Sequence, residues 1–235
     1  VIYLGFNLIS LNRVDSTNNY LKKLVSEGSP HKTAVLAETQ SGGRGRQGKS
    51  FASPPGGIYI SFYYNFADMK EEYLPLVTPI AAVYVSRAIE SASGQKVKIK
   101  WVNDIYFNDK KICGILTERV ADTLGFIVGV GINLSGSNLP DNLKDKAGYI
   151  DTDKDMLVKL LIENMDFNPE MFGDFSNLAY YRENSYLAGK KVGFTLNGCY
   201  ITGIVKDVDE KFRLAVETEK GLSILDSGEV SVLVI

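Results

Sequence analysis

Residues 41–57 read Ser-Gly-Gly-Arg-Gly-Arg-Gln-Gly-Lys-Ser-Phe-Ala-Ser-Pro-Pro-Gly-Gly, and no regular element accommodates them. Interspersed glycines and a Pro-Pro pair break helix and strand alike. Short apolar runs flank the segment, at 34–38 and at Ile58-Tyr59-Ile60-Ser61-Phe62-Tyr63, and both suit strands. A loop this long inside a compact domain is either functional or disordered. Disorder is disfavoured across the chain, because 45% of its 235 residues are hydrophobic and only 23% are charged. The segment is therefore expected to be a functional loop carried on a sheet.

The flanking sequence predicts the rest of the scaffold. Residues 1–14 read as an early strand, and Asp15-Ser16-Thr17-Asn18 offers several helix N-caps. Tyr20, Leu21, Leu24 and Val25 share one face of the following helix, which Gly28 stops. Val77, Ala81, Tyr84, Val85 and Ala88 place an apolar stripe on a helix over 75–91. Strands are expected over 97–107, 111–119 and 125–134, with a turn at Asn108-Asp109, and two helices within 153–185. After Gly189 the pattern changes to short β segments at 191–196, 199–207, 212–218 and 222–225, with Asn197-Gly198 as a hairpin turn. The expected class is α+β: a mixed sheet with helices packed on it over 1–186, then a small β domain that closes a barrel over 187–235.

Three groups of residues carry chemistry. In Gly42-Gly43-Arg44-Gly45-Arg46-Gln47-Gly48-Lys49, glycine lets the backbone N–H groups approach an anion, and arginine forks around phosphate or carboxylate oxygens. A flexible basic loop with RNA affinity has the same composition. Lys100-Trp101-Val102-Asn103-Asp104 is followed by Lys110-Lys111-Ile112-Cys113-Gly114-Ile115-Leu116; an Asn-Asp pair also serves plain turn chemistry, and a strand-start lysine is commonly solvated. Gly129-Val130-Gly131-Ile132-Asn133 fits either close approach by a ligand or a tightly packed sheet centre.

Composition excludes several classes. The net charge of −2, from 26 basic and 28 acidic side chains, gives no sign of a nucleic-acid binder, although local basic clusters still count. No stretch is apolar enough to span a bilayer, and the first residues lack the charged leader and cleavage site of a signal peptide. Cys113 and Cys199 stand too far apart for a paired metal motif, and two cysteines in this length suit a reducing cytoplasm. No helix-turn-helix is expected within the residues ahead of the loop.

In order and spacing, the Asp15–Asn18 segment, the Gln40–Arg46 segment, Ser53-Pro54, the Lys100–Asp104 block, the Lys111–Leu116 block and Gly129–Asn133 together resemble the biotin–protein ligase family over nearly the whole chain. The resemblance is to the form without an N-terminal DNA-binding domain. It implies a class II synthetase-like catalytic domain and an SH3-like C-terminal domain. It also implies biotin activation by ATP, with Mg²⁺, to biotinyl-5′-AMP, and transfer to a lysine of a biotin carboxyl carrier protein.

By the same resemblance Ser16, Thr17, Asn18, Gln40, Gly43, Arg44, Gly45, Arg46, Lys111 and Gly114 hold biotin. Arg46, Phe51, Trp101, Asn103, Lys111 and Asn133 hold ATP, with Trp101 and Phe51 packing near adenine. Arg44, Lys111 and Asp104 act in catalysis, Asp104 as acceptor or base for the carrier lysine. A homodimer in the cytoplasm, binding neither DNA nor membrane, completes the expectation. Val102 stands where the family has Pro, Lys49 where it has Arg, and Phe51 where it has Trp. The alternatives are a lipoate–protein ligase, whose Arg-Arg-x-Ser-Gly-Gly-Gly pattern is absent here, and a non-catalytic RNA-binding protein using the Arg44/Arg46 loop.

Overall fold

A computed structural model describes residues 2–67, 69–121, 124–143, 145–226 and 233–235. The elements run β1 (Ile2–Tyr3), β2 (Phe6–Val14), α1 (Thr17–Ser26), β3 (Thr33–Gln40), β4 (Ile58–Tyr64), α2 (Leu74–Ser93), β5 (Lys98–Lys100), β6 (Asp104–Phe107), β7 (Lys110–Arg119) and β8 (Phe126–Ile132). They continue as α3 (Lys154–Asn164), α4 (Phe175–Glu183), β9 (Lys191–Leu196), β10 (Cys199–Val208), β11 (Leu214–Thr218), β12 (Gly221–Leu225) and β13 (Leu233–Val234).

Strands β1 to β8 form one mixed sheet in the order β1-β2-β3-β4-β8-β7-β6-β5. Only β2 and β3 are parallel, and α1 is the crossover that parallel neighbours require. All seven residues of β4 are buried, so the sheet is covered on both faces. The two-residue period of a strand sorts the side chains. Ile58, Ile60, Phe62 and Tyr64 of β4, with Phe126, Val128, Val130 and Ile132 of β8, join the large core that includes α2. On the opposite face Tyr63 and Ile127 pack with Leu21 of α1 and Val35. That second face also carries Ser61, Gly129 and Gly131, and the site is built there. Each apolar side chain fully buried in these layers contributes about 1.5–3 kcal/mol.

Local signals explain the helix ends. Ser16 caps α1 from an extended conformation (φ −153°, ψ 131°) and accepts from Asn19 N. The second helix starts with a proline in its first turn and ends at Gly94, in the left-handed conformation at φ 68°. The hairpin turns Asn108-Asp109 (φ 49° and 59°) and Asn197-Gly198 (φ 50° and 77°) have the positive angles their residues permit.

Two expected strands differ. Residues 1–14 are two strands, because Leu4 and Gly5 turn the chain at φ 49° and 82°. The 97–107 run is a hairpin, β5 and β6, which reverses at Trp101–Asn103, with a cis peptide at Trp101-Val102. Asn103 holds the reversal: its backbone oxygen accepts from Ile115 N at 2.9 Å and its Nδ2 donates to Ile115 O at 2.8 Å.

The C-terminal strands form a separate antiparallel sheet in the order β12-β11-β10-β9-β13. Its apolar face, including Val192, Phe194, Val205, Leu214 and Val216, belongs to the same core as the large sheet.

Candidate active site

A cavity of about 230 Å³ opens between the 41–57 loop, the N-terminus of α1 and the second face of β6, β7 and β8. Its floor follows from the register. Gly131 stands opposite Gly114 across β8 and β7, and Gly114 stands opposite Asp104 across β7 and β6. A side chain on Gly131 would run into the Phe51 ring, 2.5 Å from Cε1, so glycine there gives the ring its seat.

One wall is neutral and polar. Gln40 Oε1 accepts from Thr17 N at 2.8 Å and lies 3.1 Å from Thr17 Oγ1, while Gln40 Nε2 donates to Ser53 Oγ at 2.8 Å. Ser61, buried in the middle of β4, lies 2.6 Å from Asn18 Oδ1 and 2.7 Å from Thr17 Oγ1. A hydroxyl has one proton, so if Ser61 donates to Asn18, its contact with Thr17 is made by the threonine proton. Asn18 Nδ2 donates to Glu118 Oε2 at 2.8 Å and to Leu116 O at 3.3 Å. Burial works against the Glu118 carboxylate, but hydrogen bonds from Lys22 and Asn18 hold it below the usual range.

The other wall is cationic. The loop is a tight finger: Phe51 N donates to Gly43 O at 2.8 Å, Gly45 N to Lys49 O at 2.6 Å, and Gln47 and Gly48 turn the tip at φ 54° and 73°. Arg44 reaches back to Asn19 Oδ1 at 2.9 Å and lies 3.7 Å from Glu118 Oε1. Arg46 donates to Asn103 Oδ1 at 3.1 Å; burial lowers its pKa, and the nearby Asp104 opposes that shift. Lys111 pairs with Asp104 at 2.7 Å, and its Nζ stands 5.9 Å from the Phe51 ring centre. Lys100 lies 3.5 Å from the Tyr106 hydroxyl, with its pKa lowered by burial.

The cavity lining gathers Ser16, Thr17, Asn18 and Gln40 on one side, and Arg44, Gly45, Arg46 and Phe51 from the loop. Trp101, Asn103, Asp104, Lys111 and Gly114 complete the expected set. Two expected residues stand outside the lining. Gly43 is at the base of the finger, where an added Cβ would fall 2.7 Å from Ser53 Oγ. Asn133 lies just past β8, is 4% exposed, and donates to Gly148 O at 3.2 Å. Its Oδ1 is buried without a hydrogen-bond partner among the described residues.

Trp101 lines the cavity and is anchored from behind. Its ring is 6% exposed, and its single N–H donates to Phe212 O in the second sheet at 2.8 Å. Residues not anticipated as site members include Lys100, Lys49, Ser61, Glu118 and Leu233. Lys100 was within a noted block, and a serine inside the apolar run of β4 was a visible anomaly. Glu118 and Leu233 carried no local signal.

Among the lining residues Arg44, Arg46, Lys49, Lys100 and Lys111 are cationic and only Asp104 is acidic. Five cations against one carboxylate select an anionic ligand. Among the described residues no cluster of three or more His, Cys, Asp or Glu could hold a metal ion. The one lining carboxylate is engaged by Lys111, so the donor set does not suit a resident metal.

Residues 10–133 match the Biotin/lipoate A/B protein ligase family. The chain belongs to this family. Every cavity-lining residue except Leu233 falls within the matched span. The chain is 32% identical to the bifunctional ligase/repressor BirA of Bacillus spizizenii, over 97% of this chain and 74% of that protein. It is 27% identical to BirA of Escherichia coli K12 over the same shares of each. Among solved structures it is similar to the biotin protein ligase from Aquifex aeolicus in complex with biotin and ATP. There the identity is 32% and the TM-score 0.82, covering 97% of this chain and 99% of that one.

Proposed function

We propose that this chain activates biotin with ATP to biotinyl-5′-AMP and transfers the biotinyl group to a lysine of a biotin carboxyl carrier protein. The observation that carries this reading is the division of a single cavity into a neutral polar wall and a five-cation wall, in a member of the biotin/lipoate ligase family. A ureido ring with an apolar tail suits the first wall, and a carboxylate meeting a polyphosphate suits the second.

In the first step the biotin carboxylate oxygen attacks the α-phosphorus and pyrophosphate leaves. Two anions must meet, and the preorganised Arg44, Arg46 and Lys111 offset their repulsion. Mg²⁺ enters as part of the ATP substrate, on its phosphates. The buried, unpartnered Oδ1 of Asn133 suits the adenine amino group, with the Phe51 ring seated on Gly131 and Gly114 nearby.

In the second step the carrier lysine attacks the acyl carbon and AMP departs. An ordinary lysine has a pKa near 10.4 and must lose a proton first. Asp104 is the acceptor in reach of the floor, and its carboxylate is held by Lys111 at 2.7 Å. When Lys111 turns to the phosphate it releases Asp104, so adenylation readies the group that transfer needs.

The reading includes a division into a catalytic unit over 1–186 and a small β unit over 187–235. It also includes a homodimer in a reducing cytoplasm. Exposed apolar Ile2 and Leu4 at the β1 edge support self-association, and free Cys113 and Cys199 support the compartment. No helix among the described residues is long and apolar enough to cross a membrane.

The test is ATP–pyrophosphate exchange with the purified chain. Biotin should support exchange and lipoate should not. Exchange driven equally well by lipoate overturns the substrate assignment.

A further inference from the structure

One turn of the second sheet, residues 209–213 between β10 and β11, packs against the catalytic wall at Trp101. Asp209 organises it: Oδ1 accepts from Lys211 N and Arg213 N, each at 2.9 Å, and Oδ2 accepts from Arg213 Nε at 2.8 Å. Phe212 N donates to Asp209 O at 2.9 Å, leaving Phe212 at φ 55° with its carbonyl directed inward. That carbonyl accepts from Trp101 Nε1 at 2.8 Å, with both residues 6% exposed. The Phe212 ring meets Tyr181 edge-on, 5.3 Å between centres. Burial pushes the Tyr181 phenol up; Asp104 adds to that shift and Arg46 opposes it, so Tyr181 lies within electrostatic range of both.

Trp101 opens the reversal whose third residue, Asn103, grips Arg46, and whose next residue, Asp104, holds Lys111. An indole has one proton to donate, and it is committed here. The neutral wall is held by a different network, of Gln40, Thr17, Ser61 and Asn18.

We propose that the 209–213 turn positions the catalytic wall: through the Trp101–Phe212 hydrogen bond it sets the Trp101–Asn103 reversal, and through that reversal the Arg46 contact and the placement of Asp104. Trp101 and Asp209 are positioning residues for retention of the adenylate, and the neutral wall that suits the biotin ring lies outside their contacts. The inference rests on the ligase reading given above.

The experiment uses the full chain with Trp101→Phe, Asp209→Ala, Asp209→Asn and the double variant W101F/D209A. The readouts are the dissociation rate of preformed biotinyl-5′-AMP and the biotin Kd, both measured on protein shown to be folded. Dissociation should quicken by about five- to tenfold in Trp101→Phe and Asp209→Ala, the effect of one lost buried hydrogen bond. The biotin Kd should change by less than the release rate does. Asp209→Asn, which keeps the acceptor for the two backbone N–H groups, should restore slow release. The double variant should be no faster than the faster single, because both changes cut one connection. Wild-type release from the folded single variants, or a double effect equal to the product of the singles, overturns the proposal. If Trp101→Phe does not fold, the Asp209→Ala and Asp209→Asn pair decides. A wild-type chain that forms no adenylate refutes the ligase reading itself, which is a distinct result.

Discussion

Gly129→Ala presses directly on the neutral wall. The new Cβ would overlap Asn18 Oδ1 and stand 2.9 Å from Cγ and 3.1 Å from Nδ2. Asn18 is 4% exposed and cannot swing into solvent, so its amide must give up bonds. The bond to Ser61 is neutral, worth about 0.5–1.5 kcal/mol, and the bond to the Glu118 carboxylate about 1.5–3 kcal/mol. Alanine recovers about 0.5–1 kcal/mol of strand propensity over glycine. The net loss is therefore about 1–4 kcal/mol, within the range of an overpacked core. Urea denaturation followed by tryptophan fluorescence measures the loss, and titration calorimetry should show biotin binding weakened about tenfold or more, since 1.4 kcal/mol is a factor of ten. Gly131→Ala is the control. Its Cβ meets the Phe51 ring, which lies on the loop, so biotin affinity should survive while ATP use suffers. A Gly129→Ala protein with unchanged denaturation midpoint and unchanged biotin Kd would refute the assignment of Asn18 to the biotin wall.

Two other perturbations test separate parts of the molecule. Lys111→Ala should slow single-turnover adenylation by about 10²-fold or more, the scale of a lost preorganised charge, with a near-normal melting temperature; near-normal adenylation would remove Lys111 from the chemistry. His31 Nδ1 accepts from Asn65 N at 3.1 Å, and burial, with the adjacent Lys32 charge, lowers its pKa. The unfolded chain then binds more protons just below the ordinary histidine value, so stability falls as pH drops through about 6.5 toward the lower folded value. The shift should be small, because His31 is only partly buried, and His31→Gln should flatten that part of the pH–stability curve; an unaltered curve would show that His31 is not its source.

Much of the scaffold was legible because its signals are local. Ser16 capping α1, Gly94 ending α2 and the Asn108-Asp109 and Asn197-Gly198 turns each need only their own backbone. The cavity was legible as a set of residue types, since glycine and arginine in one loop have few structural uses. The hairpin inside 97–107 was hidden because Lys-Ile-Lys-Trp-Val and Ile-Tyr-Phe are continuous strand formers; the reversal is held by Asn103 bonding Ile115, across 12 positions. Trp101 reads equally as a stacking surface or a core side chain until Phe212, 111 residues on, claims its N–H. Glu118 was invisible for the same reason: its partners Asn18 and Lys22 lie 100 and 96 positions away.

Those separations govern how the molecule comes into being. The neutral wall needs Thr17 and Asn18 from the first helix, Ser61 from β4, and Leu116 and Glu118 from β7, and β8 stands between β4 and β7 in the sheet. A chain emerging from the ribosome has no complete pocket until β8 has been made and inserted between strands synthesised before it, although the contacts among Thr17, Asn18, Gln40 and Ser61 need only the first 64 residues. Such long-range closure is slow relative to helix formation. Ligand therefore cannot template early folding, and acquisition of biotin binding during refolding should report the late insertion of β8 rather than the first collapse.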